Sequence, residues 1–174
     1  MKRLLFITCL FLPLILQAQT KTVDDLFERY SGKDGFTTVY ISSKMFSMFG
    51  SLDLEDEDLN NLMNRLKTIR ILTVADTTLN KKINFYNEIS KKSDFKDYEE
   101  LMVVIEGDKT TKFFVMQSGK TISELLVISG GKGSNALISI RGDIDLKNIS
   151  NISKKMGIKQ LESLEKIDQK YPKK

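Results

Sequence analysis

The pattern of apolar and polar residues predicts a β-sheet in the second half of the chain. Four apolar runs of strand length occupy residues 101–106, 112–117, 124–129 and 135–141. Short breaks that contain glycine separate these runs, and glycine supplies the positive φ that tight hairpins need. The pattern therefore predicts an antiparallel meander that forms the core of the protein.

Two of these runs predict different environments. Residues 101–106 show no polar alternation, so we expect this strand to be covered on both faces. In the last run, Ala136, Ile138 and Ile140 alternate with polar residues, which is typical of a half-solvated strand.

The rest of the chain alternates between helical and strand patterns. Apolar residues at helical spacing predict helices over residues 22–30, 44–49 and 53–70, and a further helix that begins at residues 76–78 and ends near residue 91. β-branched and aromatic residues predict strands over residues 36–42 and 71–75. After the meander, helical spacing predicts helices over residues 145–156 and 159–171. Few contacts specify where the second of these helices docks.

This order of elements predicts an α+β fold. We expect one domain over residues 19–174, built on a mixed sheet of about six strands that ends in the antiparallel meander, with helices packed on the sheet. The first crossovers should be parallel and right-handed.

Residues 1–18 have the pattern of a secretory signal peptide. Lys2 and Arg3 precede an apolar stretch over residues 4–16, and Ala18 marks the expected cleavage point. The stretch is shorter than the roughly 20 residues that a membrane-spanning helix needs. The sequence therefore predicts export to the periplasm or cell surface, with no transmembrane segment after cleavage.

Composition excludes several functions. The chain has no His, and Cys9 is its only cysteine, so the exported part lacks the residues of Ser-His-Asp and Cys-His catalysis and of common zinc sites. Loss of Lys2 and Arg3 lowers the formal charge from +4 to +2, too little to indicate nucleic-acid binding. The acidic run 53–58 lacks the glycine and glutamate of a calcium loop, and the glycine-rich run 130–134 lacks the pattern of a phosphate-binding loop. We expect no metal, cofactor or catalytic motif.

Carboxylates remain the one class of catalytic group near predicted strand ends. They are Glu106, Asp108, Glu124, Asp143 and Asp145, and hydrolysis would require two of them to meet in space. Solvated turn residues are the simpler interpretation.

The segment after the first predicted strand concentrates four large apolar residues, Met45, Phe46, Met48 and Phe49. At helical spacing Met45, Met48 and Phe49 share one face, while Phe46 points elsewhere. The cluster either fills an irregular core or forms a ligand or partner patch, because Met and Phe suit both roles. In the second case we expect Phe46 to be the exposed residue.

Residues 35–46, Gly-Phe-Thr-Thr-Val-Tyr-Ile-Ser-Ser-Lys-Met-Phe, resemble an exported Bacteroidetes family, the domain of unknown function 4252. The resemblance implies a periplasmic or cell-surface setting and transfers no activity. The leading hypothesis is therefore a non-catalytic module that binds an envelope protein or a small apolar ligand. The alternative is a carboxylate-dependent hydrolase of the envelope.

Overall fold

The computed structural model describes residues 21–50, 57–119, 121–131, 133 and 135–145. Within them, six strands form one sheet: β1 Phe36–Ser42, β2 Leu66–Val74, β3 Glu99–Glu106, β4 Lys109–Ser118, β5 Thr121–Gly130 and β6 Ala136–Ile144. Their order is β1-β2-β6-β5-β4-β3, and every neighbouring pair is antiparallel. The predicted α+β class, the strand number and the meander from β3 to β6 are confirmed.

The predicted parallel crossovers are wrong. Ser42 at the end of β1 lies opposite Thr68 near the start of β2, so residues 43–65 leave and re-enter the sheet at the same end. That return makes β1 and β2 antiparallel neighbours. The last strand, β6, then inserts between β2 and β5 and joins the first two strands to the meander.

Five helices and one 3₁₀ turn accompany the sheet in the described part of the chain. They are α1 Lys21–Tyr30, α2 Ser43–Gly50, α3 Glu57–Arg65, α4 Thr77–Asn80, α5 Phe85–Ile89 and the 3₁₀ turn Ser93–Asp97. The helix predicted over residues 53–70 ends at Arg65, because Leu66 already begins β2, whose backbone pairs with β1 on one side and β6 on the other. The helix predicted after residue 76 is split, because both Asp76 and Asn84 act as N-caps.

The sheet has two faces with separate apolar clusters. One face, here the α1 face, packs Leu72, Phe114 and Leu126 against side chains of α1 and α5. The other, the α2 face, packs Ile69, Phe113, Val127 and Ile140 with Phe46 of α2 and Leu62 of α3.

Strands β3 and β6 have environments opposite to those predicted. β3 lies at the edge of the sheet, where Val103 is 38% and Ile105 is 72% exposed, so it is not covered on both faces. β6 lies between β2 and β5, and residues 136–140 are all buried rather than half-solvated. Strand order across the sheet, which periodicity does not reveal, decides both outcomes.

The predicted signal peptide, residues 1–18, lies outside the described residues, as do the predicted helices 145–156 and 159–171 beyond Asp145. None of the helices described above combines the length and the hydropathy that crossing a bilayer requires.

Candidate functional site

Asp24 on α1 is the centre of a network of charged residues on the α1 face. Its Oδ1 accepts hydrogen bonds from Arg70 and, at 2.8 Å, from Nη2 of Arg141. Nε of Arg141 donates to Glu124 at 3.0 Å, and the Ser139 hydroxyl donates to Glu124 at 2.6 Å. Glu124 is opposite Arg141 in the sheet, and Arg70 is opposite Ser139, so the strand register places these groups together.

This network fastens α1 to the sheet. The Glu124 side chain is only 3% exposed, and both of its oxygens accept hydrogen bonds. Burial alone would lower the pKa of Arg141, but the charges of Glu124 and Asp24 outweigh it and raise that pKa above its ordinary value. Glu124 and Arg141 are therefore structural residues. Removing one partner would leave the other as an uncompensated buried charge, which lowers the free energy of unfolding.

A cleft of about 280 Å³ opens at the other end of the α1 face. Asn84 and Tyr86 of α5 form one wall, Thr110 and Lys112 of β4 form the floor, and Asp108 lies at the end. The Lys112 amine lies 4.4 Å from the centre of the Tyr86 ring and donates to Glu100 at 3.0 Å. That hydrogen bond raises the pKa of Lys112, so the amine is held as a cation.

Gly131 shapes the end of the cleft. A methyl group at Gly131 would lie 2.5 Å from the backbone oxygen of Asp108 and 2.7 Å from Cα of Lys109. Only glycine lets the β5–β6 turn pack this closely against the β3–β4 turn. In the glycine-rich run 130–134, Lys132 and Ser134 lie outside the described residues, and Gly131 has a packing role.

Apolar side chains on β3 form a patch beside this cleft. The β3 patch consists of Leu101 at a bulge, Val103 and Ile105, which are 37%, 38% and 72% exposed. Val103 lies opposite Lys112, and Ile105 lies opposite Thr110, so both share the face that carries the cleft. The cleft and the β3 patch therefore form one continuous surface at the edge of the sheet.

The sequence did not identify this surface. The run 101–106 was interpreted as a doubly covered strand because its residues are all apolar up to Glu106, and position at the edge depends on the order of the strands. The glutamates that flank the run, Glu99, Glu100 and Glu106, were the one local signal. Natural edge strands often carry charged residues, which discourage unwanted pairing with other strands.

The predicted patch on α2 has its residues in different environments. Phe46 is 2% exposed and belongs to the core, whereas Met45 and Met48 are 47% and 60% exposed. The expectation that a patch on α2 would expose Phe46 is therefore wrong, because α2 turns Phe46 toward Leu62 and the sheet. The side chain of Phe49 lies outside the described residues. The partner or ligand role therefore stays a prediction for Met45, Met48 and Phe49.

Three of the five carboxylates considered for hydrolysis, Asp108, Glu124 and Asp143, lie in different parts of the structure. The cleft is lined by one of them, Asp108, while Glu124 is buried in the network and Asp143 pairs with Arg65 at 3.2 Å on the surface. A second cavity of about 340 Å³ beside α2 has no carboxylate among its described lining residues. The described residues also contain no group of three or more Asp and Glu that could hold a metal ion.

Comparisons with known proteins identify a family and no activity. The model of a family described as Domain of unknown function (DUF4252) matches residues 30–152. No curated protein and no solved structure matches the chain.

Proposed function

The chain belongs to the family described as Domain of unknown function (DUF4252), and we propose that it is a non-catalytic module that binds another polypeptide along β3. The observation that carries this proposal is the β3 patch, in which Ile105 is 72% exposed and Val103 is 38% exposed on an edge strand. An edge strand has unpaired backbone N–H and C=O groups that can bind a strand from a partner, and exposed apolar side chains give that strand a surface to pack on.

The edge of β3 has glutamates at its ends and a bulge at Leu101, but it lacks other devices that prevent such pairing. The strand has eight residues, Glu99–Glu106, and contains neither lysine nor proline. No strand in the described part of the chain pairs with its outer side. The other edge strand, β1, exposes Val39 and Tyr40, which are consecutive and so point to opposite faces. β3 therefore offers the better apolar surface for a partner.

The charges on β3 indicate the chemistry of that partner. Glu99 and Glu106 are exposed at the two ends of the strand, and among the described residues neither forms a salt bridge within 4.0 Å. If two copies of β3 paired antiparallel in full register, Glu99 of each would lie opposite Glu106 of the other, and like charges directly opposite destabilise a sheet. The better partner is an extended segment with alternating apolar residues and a basic residue at each end.

A defined peptide tests this proposal. The probe is a labelled eight-residue peptide in which valine and threonine alternate between terminal lysines, and binding is measured by fluorescence polarisation. Replacing both lysines by glutamates should weaken binding at least tenfold, about 1.4 kcal/mol. N-methylation of alternate peptide nitrogens should abolish binding, because strand addition uses main-chain hydrogen bonds.

Two matched variants locate the site. Ile105→Asp on β3 should weaken binding of the lysine-flanked peptide at least tenfold, and Val39→Asp on β1 should leave it unchanged. Both side chains are exposed, so the fold tolerates either change. If both variants lost peptide binding equally, the binding site would not be on β3. A dimer held together through β3 would contradict the argument that Glu99 and Glu106 prevent two copies from pairing.

We also propose that the protein acts in the periplasm or at the cell surface. The support is the pattern of residues 1–18, with cleavage after Ala18. The intact mass of the protein from the envelope fraction should match a chain that begins at Gln19, within two residues. A full-length mass would contradict export.

The hydrolase alternative has no comparable support. A glycoside hydrolase needs two carboxyl groups facing each other across the substrate, and the cleft presents Asp108 alone among the five candidates. We therefore favour binding over catalysis.

A further inference from the structure

The two edge strands of the sheet differ in charge. β3 carries Glu99, Glu100 and Glu106, whereas β1, Phe36–Ser42, has no charged residue. β1 consists mainly of β-branched and aromatic residues, contains no proline or glycine, and pairs with β2 over all seven of its residues without a bulge. A regular, uncharged strand at an edge lacks the features that discourage pairing between sheets.

Side chains of β1 are accessible on both faces of the sheet. Val39 is 41% and Tyr40 is 63% exposed, and as consecutive residues they point to opposite faces. Helix α2 follows β1 directly and packs on β1, β2 and α3, so it lies over the sheet rather than beside its edge. A strand added beside β1 therefore meets exposed side chains on each face.

We propose that β1 pairs antiparallel with β1 of a second copy of this chain, so that the two sheets join across a two-fold axis. Residues that pair in a regular antiparallel ladder point to the same face, so the axis passes beside one residue rather than between two. Full overlap of the seven residues places the axis at Val39, the middle one. Val39 then lies opposite Val39 of the second copy, and Tyr40 lies opposite Thr38. Cross-strand pairs of aromatic and β-branched residues stabilise a sheet.

Charges just beyond the ends of β1 favour a second copy as the partner. Asp34 lies two residues before Phe36, Lys44 lies two residues after Ser42, and both are exposed. The register centred on Val39 therefore brings Asp34 of each copy beside Lys44 of the other, twice in the dimer. Opposite charges in facing positions stabilise this register, and a shift by two residues would lose both pairs.

This pairing ends at a dimer and leaves β3 free. Both copies use the same strand, so the two-fold contact closes on itself. The outer edges of the joined sheet are then the two β3 strands, whose glutamates oppose further pairing between copies. β1 offers a smaller apolar surface than β3, but it carries no charge that opposes self-pairing. The dimer does not depend on peptide binding at β3, because the two strands lie at opposite edges.

Sedimentation velocity tests the dimer. Protein purified from cells that express the full chain should sediment as a dimer at about 100 µM. Val39→Asp places two like charges opposite each other at the axis and should raise the dimer Kd at least about tenfold, whereas Ile105→Asp on β3 should leave it within about twofold. Circular dichroism checks that both variants are folded. A monomeric wild type, or equal weakening by the two substitutions, would overturn the proposal.

Charge reversal tests the register. Asp34→Lys and Lys44→Asp should each raise the dimer Kd at least about threefold, and the double variant should return it to within about twofold of the wild type. A double variant that is weaker than either single variant would show that these two residues do not meet.

Disulfide formation tests the position of the axis. Val39→Cys places two thiols in directly opposite positions, so mild oxidation should yield a covalent dimer on a non-reducing gel. Thr37→Cys is the matched control on the same face, because its two copies would lie about 14 Å apart, beyond the limit of about 7 Å for a disulfide. Cys9 is the only cysteine of the chain, and serine replaces it in both variants. Equal yields, or no covalent dimer from Val39→Cys, would overturn the proposal.

Discussion

Replacing Phe46 by alanine is the sharpest test of how α2 packs. Phe46 is 2% exposed and joins Leu62 and the α2 face of the sheet, while its neighbours Met45 and Met48 are 47% and 60% exposed. The three side chains lie within one short helix, so their substitutions to alanine compare a buried position with two exposed positions in the same backbone setting. Phe46→Ala removes a buried ring, whereas Met45→Ala and Met48→Ala shorten chains that are largely in water.

The magnitude follows from burial. Truncating a buried phenylalanine to alanine lowers the free energy of unfolding by about 3–5 kcal/mol, through lost transfer energy and the cavity that remains. Domains of this size are stable by about 5–15 kcal/mol, so Phe46→Ala removes a large share of the total. With an m value of about 2 kcal/mol/M, the urea midpoint should fall by about 1.5–2.5 M. Surface substitutions such as Met48→Ala should change the free energy by about 0.5 kcal/mol at most.

Urea unfolding followed by circular dichroism measures these differences. Phe46→Leu serves as the control, because leucine keeps most of the buried apolar volume and should recover more than half of the loss. If Phe46→Ala moves the midpoint no more than Met45→Ala or Met48→Ala, the argument from burial is refuted. The position of α2 on the sheet would then need to be revised.

Three other substitutions test features of the fold. Asp24→Asn removes the counter-charge of two guanidinium groups and should lower the free energy of unfolding by about 1–3 kcal/mol in urea titration; a loss below about 0.5 kcal/mol would contradict the anchoring role. Burial, with Glu88, raises the pKa of Tyr30 above 10.0, so its contribution to stability is complete below pH 10 and is lost as the pH rises through the raised pKa. Tyr30→Phe should therefore lose less stability than the wild type as the pH rises above 10, and parallel pH profiles would contradict this. Gly131→Ala should lower the melting temperature by several degrees more than Gly133→Ala, because both have positive φ but only Gly131 meets backbone atoms within 3 Å; equal effects would contradict the packing role.

Local signals in the sequence predicted the elements that depend on local interactions. Helix α1 and strand β1 lie where periodicity and β-branched residues placed them, and α4 begins in the predicted range 76–78, with Asp76 as its N-cap. The region around Leu66 differs because two patterns overlap there. Leu62, Leu66 and Ile69 fit a helix, yet Thr68, Ile69 and Arg70 also alternate as in a strand, and pairing with β1 and β6 decides in favour of the strand.

The candidate site depends on long-range arrangement, which one sequence does not contain. Ile105 is exposed because β3 is the last strand in the sheet, and Ile138 is buried because β6 is central. Both lie in runs of similar apolar character, so no local pattern distinguishes the two environments. The orientation of Phe46 was wrong for a related reason, since a short helix with four large apolar residues has more than one face that could be buried.

The central position of β6 has a consequence for how the chain folds during synthesis. The residues that pair between β2 and β6 are far apart in the sequence. The separation runs from 63 positions, for Thr73 with Ala136, to 76 positions, for Leu66 with Gly142. Ribosomes add about 5–20 residues per second, so roughly 4–14 s pass between completion of β2 and completion of β6. Throughout that interval β1 and β2 have no strand that joins them to β3, β4 and β5, and the inner edge of β2 stays open. A chaperone would therefore meet an incomplete sheet, and β6, the last strand in the described part of the chain, completes it.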